Sequence, residues 1–254
     1  MTLPVLITVT LACIAWSLWV RRLTWTSRWE VAATLNIALQ GLAVLLMTPW
    51  ASATIGHWLY NLTGMWNLED FIAHDAYVVA ASAVVYNAIG RIEDGAEFQR
   101  AFKVHVETPA TLCIPLLLAA FSIGNGAAMY HPDFFQVPTD IWLNTYWLIM
   151  CGTTAYLLAY GSKALLLLRQ DERSRTVATV YLIAAAFGIL TCLIRITTAI
   201  ATPLQTTGLT ASLAVWIPAC ACGTLFALMS AHSWRQKLRW FKPTRRASIE
   251  CSPT

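Results

Sequence analysis

Lysine and arginine are missing from three polar stretches of this sequence, roughly 50–70, 131–140 and 202–208. The other polar stretches carry them, at 21, 22 and 28, then 91, 100 and 103, then 169, 173 and 175, then 235 to 246. Charge as a whole is scarce, 12% of residues against 57% hydrophobic, too little polar side chain to cover a soluble globule of 254 residues. No separate soluble domain fits, and no nucleic-acid partner is expected. The three stretches also lack cysteine, so no disulfide is available there. Six of the seven cysteines lie inside apolar segments and read as small filler. Cys220 and Cys222, two apart on a helix, face different directions, which argues against a shared metal.

Catalytic and cofactor motifs are missing too. There is no H-E-x-x-H, no Ser–His pair and no glycine-rich phosphate loop. The last apolar segment has no deep lysine with a carboxylate counter-ion, so a retinal Schiff base is disfavoured. Only His74 of the five histidines is clearly within a span, so bis-histidine haem ligation has no second ligand at its depth. The chain is read as a non-enzyme without cofactor or metal.

What is present is a run of seven apolar segments of membrane-spanning length: about 3–20, 31–49, 71–90, 109–130, 141–168, 176–201 and 209–232. The fold class this implies is all-α, a polytopic membrane protein of seven transmembrane helices occupying 1–233, with a basic tail over 234–254. The positive-inside rule places the N-terminus outside and the C-terminus in the cytoplasm, most simply of a bacterial plasma membrane. Twelve Trp and eight Tyr suit two interfaces to anchor. The first segment has an uncharged start and arginines after its apolar run, the reverse of a cleaved signal, and reads as a retained span. Within 51–70, Ile55, Trp58, Leu59 and Leu62 recur at helical spacing and predict a short interfacial helix. In the tail, Arg235, Lys237, Arg239, Lys242, Arg245 and Arg246 predict a surface-lying basic helix attracted to anionic lipid. Small residues four apart (Ala76 and Ala80, Ala184 and Gly188, Ala219 and Gly223) permit close helix crossings, with homodimerisation as an alternative use.

Ionisable groups at membrane depth mark the candidate site, because burying them is costly. Asp75 lies one turn inside the third segment and Arg195 between one and two turns inside the sixth, at matched depth. His74, Asn125 and Asn144 sit at comparable height. Three readings follow: Asp75 and Arg195 neutralise each other across two helices, they flank a ligand site open to the outside, or Arg195 snorkels to the headgroups.

The block Leu62-Thr63-Gly64-Met65-Trp66-Asn67-Leu68, with His74 after it, resembles actinobacterial seven-helix integral membrane proteins, a family of uncertain role often described as transporters. The likeness extends to helix number, orientation, the Arg-bearing loop after the first span and an Arg late in the sixth. It implies the same helical layout and a transporter-like role. Two functions are carried forward: a small-solute or ion-coupled binding protein using His74, Asp75, Asn125, Asn144 and Arg195, and a non-transporting sensor, modulator or phage-type envelope protein acting through a partner.

Overall fold

The computed structural model describes residues 2–27, 30–92, 95–201 and 208–250, with side chains described from 3 to 239. Those residues are helical with no strand. Helix α1 spans Thr2–Val20, α2 Val31–Leu46, α3 Pro49–Thr63, α4 Leu68–Ile89, α5 Gly95–Ile123, α6 Ile141–Leu168, α7 Arg175–Ile200 and α8 Leu209–Glu250. Five of them (α1, α4, α5, α7 and α8) are long and apolar enough to cross a membrane. Six segments qualify if α2 and α3, bent by 62° at their junction, count as one broken span. The break follows from Pro49, which opens α3 with Thr48 as its N-cap, Thr48 Oγ1 accepting from the Ala51 amide at 3.1 Å.

The outer faces of these helices are apolar and uncovered. Val5 and Val9 on α1, Leu112 and Leu116 on α5, Leu190 and Leu193 on α7 and Ile217 on α8 are all exposed. Apolar surface on this scale has no stable place in water and is what lipid tails would cover.

Five helices close a ring in the order α2, α4, α6, α7, α8, and back to α2. Helix α1 covers the α8–α2 seam, and α5 leans on α6 and α4 from outside. Close approach needs small residues: a Cβ at Gly188 of α7 would lie 2.6 Å from Leu158 Cδ1 and 3.3 Å from Cys222 Sγ. The largest cluster of buried residues, including Phe121, Phe134, Tyr146, Trp147 and Phe226, fills the side of the ring built on α6.

At one end of the ring Arg21 is 1% exposed. Its Nε donates to Thr34 Oγ1 at 3.0 Å, Nη1 to the Ser230 carbonyl at 3.0 Å, and Nη2 to Glu30 Oε2 at 2.9 Å and the Glu30 carbonyl at 3.1 Å. Lys237 pairs with the other Glu30 oxygen. One guanidinium thereby joins the end of α1, the start of α2 and α8. Lys237, expected among the lipid-facing cations of the tail, is instead engaged with Glu30 because α8 carries it past the start of α2. Arg235 lies over the Trp16 ring at 4.7 Å, and Arg239 is exposed. Helix α8 continues the last span without a break, so the described part of the tail is not a separate surface-lying helix. The side chains of Lys242, Arg245 and Arg246 lie outside the described residues.

Burial alone would raise the Glu30 carboxyl, but Lys237 and Arg21 outweigh it and hold its pKa below the usual 4.5. A depressed folded-state pKa contributes stability that is complete above the unfolded value and is lost as pH falls through the folded one. The thermal stability of the detergent-solubilised protein is therefore expected to fall as pH drops below about 4.5. Glu30→Gln should flatten that slope; an unchanged profile would show that Glu30 is not the group responsible.

At the opposite end Asn67, fully buried with φ +54°, precedes α4. Asn tolerates this left-handed conformation better than most residues. Its Nδ2 donates to the Gly126 and Met129 carbonyls at 2.7 and 2.8 Å, and its Oδ1 accepts from the His131 amide at 3.3 Å. Asn67→Ala strands these buried backbone groups at about 1–3 kcal/mol for each one left unsatisfied. A lowered unfolding temperature and faster proteolysis within 125–140 are expected; no change in either would remove Asn67 as the tie.

Candidate functional site

The connection 131–140 does not stay outside the bundle. A 3-10 turn, Phe134–Gln136, drops into the end of the ring, with Phe134 1% exposed. Asp133 caps that turn, accepting from the Phe135 amide at 3.2 Å and from Gln136 Nε2 at 2.9 Å. Ser212 of α8 also donates to Asp133, at 2.5 Å. Thr139 Oγ1 donates to the Ala199 carbonyl of α7 at 3.1 Å, and Asp140 caps α6 through the Leu143 amide at 2.7 Å. The segment is pinned to three helices, and Phe135 hangs beneath it.

Below Phe135 lies a cavity of about 90 Å³ at the centre of the ring. Its end near Phe135 is lined by Arg195, His74, Trp147 and Trp216. Its body is mostly apolar, with Met47, Ala80, Val84, Leu158 and Phe226, and Asn36 and Gln40 of α2 close another side. Gln40 Nε2 donates to Asn36 Oδ1 at 2.7 Å, which joins the two amides on that side.

Arg195 is 3% exposed and has no carboxylate within 4.0 Å among the described residues, where the ion pairs are Arg21–Glu30 and Lys237–Glu30. Its guanidinium carbon sits 4.0 Å from the centre of the Trp147 ring and 5.4 Å from that of Phe135. Nη1 donates to the Phe135 carbonyl at 3.2 Å and reaches Thr198 Oγ1 at 3.5 Å. Nε and Nη2 find no partner among the described residues. His74, 1% exposed, shares Nδ1 with the Tyr146 hydroxyl at 2.7 Å, while its Nε2 has no partner. The indole N–H groups of Trp147 and Trp216 are likewise buried and unpaired. Five unpaired nitrogens thus sit on four side chains that line one cavity.

Of the residues expected to form the site, His74 and Arg195 come together here, on either side of Trp147, whose ring lies 5.0 Å from that of His74. Asp75, Asn125 and Asn144 are not in the lining. The proposed Asp75–Arg195 ion pair is absent: one residue further along α4 is a turn of 100°, and Asp75 points away from the cavity that His74 enters. Arg195 does not snorkel either, since it is buried against Trp147. Asn125 Nδ2 donates to the Pro138 carbonyl at 3.0 Å and braces the 131–140 segment. Asn144 lies half-buried on α6 with Oδ1 unpaired. Sequence reasoning missed Trp147, Trp216, Phe135, Asn36 and Gln40. Asn36 and Gln40 were within reach, being polar residues four apart inside an apolar span. Among the described residues no three His, Cys, Asp or Glu side chains are grouped to hold a metal ion.

Comparison of the chain with protein-family models, with curated proteins and with solved structures gives no match.

Proposed function

We propose that this chain is a seven-span membrane protein, N-terminus outside, that binds a small solute in its central cavity, as a carrier-like binding protein. The seventh span is α6, whose 28 residues would extend about 42 Å at helical rise, more than a bilayer core requires. Its Asn, Thr and Tyr residues lower its hydropathy, which a helix packed among α4, α5 and α7 tolerates. In this orientation the 131–140 segment lies on the outer side and the Arg21–Glu30–Lys237 cluster on the cytoplasmic side. Cysteine labelling from either side of sealed vesicles tests this. Labelling at 131–140 from the cytosolic side would sink the orientation.

The observation that carries the solute reading is Arg195, a buried cation in the cavity lining with no carboxylate within 4.0 Å among the described residues and two nitrogens unpaired. Intramembrane ionisable groups line solute and ion paths more often than they stand idle. The protein in nanodiscs should gain thermal stability from a solute that occupies the cavity, and Arg195→Gln should abolish the gain. If Arg195→Gln leaves every solute response intact, the cavity is not the site.

One observation favours the second reading, a sensor or modulator. Val215, Trp216, Ala219, Cys222 and Phe226 of the cavity wall and the basic residues Arg235, Lys237 and Arg239 lie on the same unbroken helix, α8. A solute could in this way be reported to the cytoplasmic face without being moved. Transport in proteoliposomes separates the two: binding without flux supports the sensor.

A further inference from the structure

We infer that the solute is a small monocarboxylate with a short apolar body, its carboxylate held by the free edge of Arg195 and its tail lying among Ala80, Val84 and Leu158. This rests on the reading of the cavity as a solute site and adds the chemical class. The two unpaired Arg195 nitrogens are Nε and Nη2. On a guanidinium these two N–H groups share one edge and point in parallel, the fork that matches the two oxygens of a carboxylate. The remaining nitrogen, Nη1, is taken by the Phe135 carbonyl at 3.2 Å. The ring of Trp147, 4.0 Å from the guanidinium carbon, fixes the plane of that fork.

The surroundings suit an anion in the same way. The indole N–H groups of Trp147 and Trp216 are donors only, and both are buried and unpaired. If the Tyr146 hydroxyl donates to His74 Nδ1, His74 Nε2 carries its proton and becomes a fourth donating side chain at this end. Asp133, the acidic group on the overlying turn, bonds to Ser212 and Gln136 and acts on Arg195 only at a distance, without a direct contact. The lone carbonyl on Arg195 does not neutralise it. A bound anion would supply a counter-charge in contact with Arg195 and most of the missing hydrogen bonds.

Size and polarity limit the rest of the molecule. An apolar cavity of about 150 Å³ holds benzene, so about 90 Å³ takes a smaller body, on the order of four non-hydrogen atoms, the carbons of a four-carbon acid whose oxygens lie against the Arg195 edge. The wall away from the donors is mainly apolar, with Ala80, Val84, Leu158 and Phe226, and its polar groups (Asn36, Gln40, Thr154 and Thr191) are uncharged, so it offers no counter-ion to a second charged group. A dicarboxylate would leave its second charge without a counter-ion there.

Butyrate is the probe, with butyramide as its neutral isostere, benzoate as the oversized acid, and nitrate and chloride as inorganic anions. The readouts are unfolding temperature and equilibrium binding of labelled butyrate to the whole chain in nanodiscs. Butyrate is expected to raise the unfolding temperature saturably, while butyramide and benzoate do not. Arg195→Lys, which keeps the charge and loses the fork, should weaken butyrate binding at least tenfold, and Ala80→Phe, which fills the cavity, should abolish it. Equal effects of butyrate and butyramide on the wild-type chain, or an unchanged affinity in Arg195→Lys, would overturn the carboxylate assignment. If butyramide, nitrate or chloride binds and butyrate does not, and Ala80→Phe removes that binding, the assignment fails while the solute cavity stands. If no probe of any kind binds the wild-type chain, both fail.

Discussion

Arg21→Ala is expected to cost about 3–5 kcal/mol, the usual penalty for removing one partner of a buried ion pair. The loss is not confined to the Glu30 contact. It takes a donor from the Ser230 carbonyl, which accepts from Nη1 at 3.0 Å beside its helical bond, and from Thr34 and the Glu30 carbonyl. It also removes the link between the ends of α1, α2 and α8. Lys237→Met should cost far less, because Lys237 is about one-third exposed and Glu30 retains Arg21. Unfolding temperatures in detergent check the ranking. Equal losses in the two variants would mean that Glu30, and not the guanidinium, organises this end.

The second large effect has the opposite sign. Arg195→Met is expected to raise the unfolding temperature in solute-free buffer while eliminating solute binding. Two terms compete. Relieving a buried, uncompensated charge gains several kcal/mol, and removing the partner of the Phe135 carbonyl loses about 1–3 kcal/mol. The first is larger, so the net change favours the variant. This is the behaviour of a residue kept for binding at the expense of stability. A fall of several degrees would show that the charge is compensated in the wild-type protein and would remove the ground for a solute site. Two arginines on one chain, both buried, are thus expected to answer substitution in opposite directions, because one has all three nitrogens engaged and the other only one.

The sequence makes the helical layout legible because long apolar runs leave the backbone no other way to satisfy its hydrogen bonds in lipid. It also placed His74 and Arg195 at one depth, since depth follows from counting residues along a helix. What depth does not supply is direction around the axis. His74 and Asp75 share a height and face different neighbours, so a site drawn from height alone joined Asp75 to a cavity it does not line. The contribution of Phe135 was illegible for another reason: it comes from a connection whose fold into the ring depends on Asp133, Thr139 and Asp140 finding partners on three helices. In the sequence Arg21 is only one of the cations that obey the positive-inside rule. The rule concerns which side a residue occupies and is silent on whether the residue is buried there.

Helix α8 carries one further consequence. From Trp216 to Lys237 is 21 residues, about 32 Å of rod at 1.5 Å per residue. A rotation of a few degrees about the Trp216 end would move Lys237 by an ångström or two. That displacement is comparable to the reach of the Glu30 contact, so a lever of this length would couple a small tilt at Trp216 to the making or breaking of an ionic clasp at Lys237.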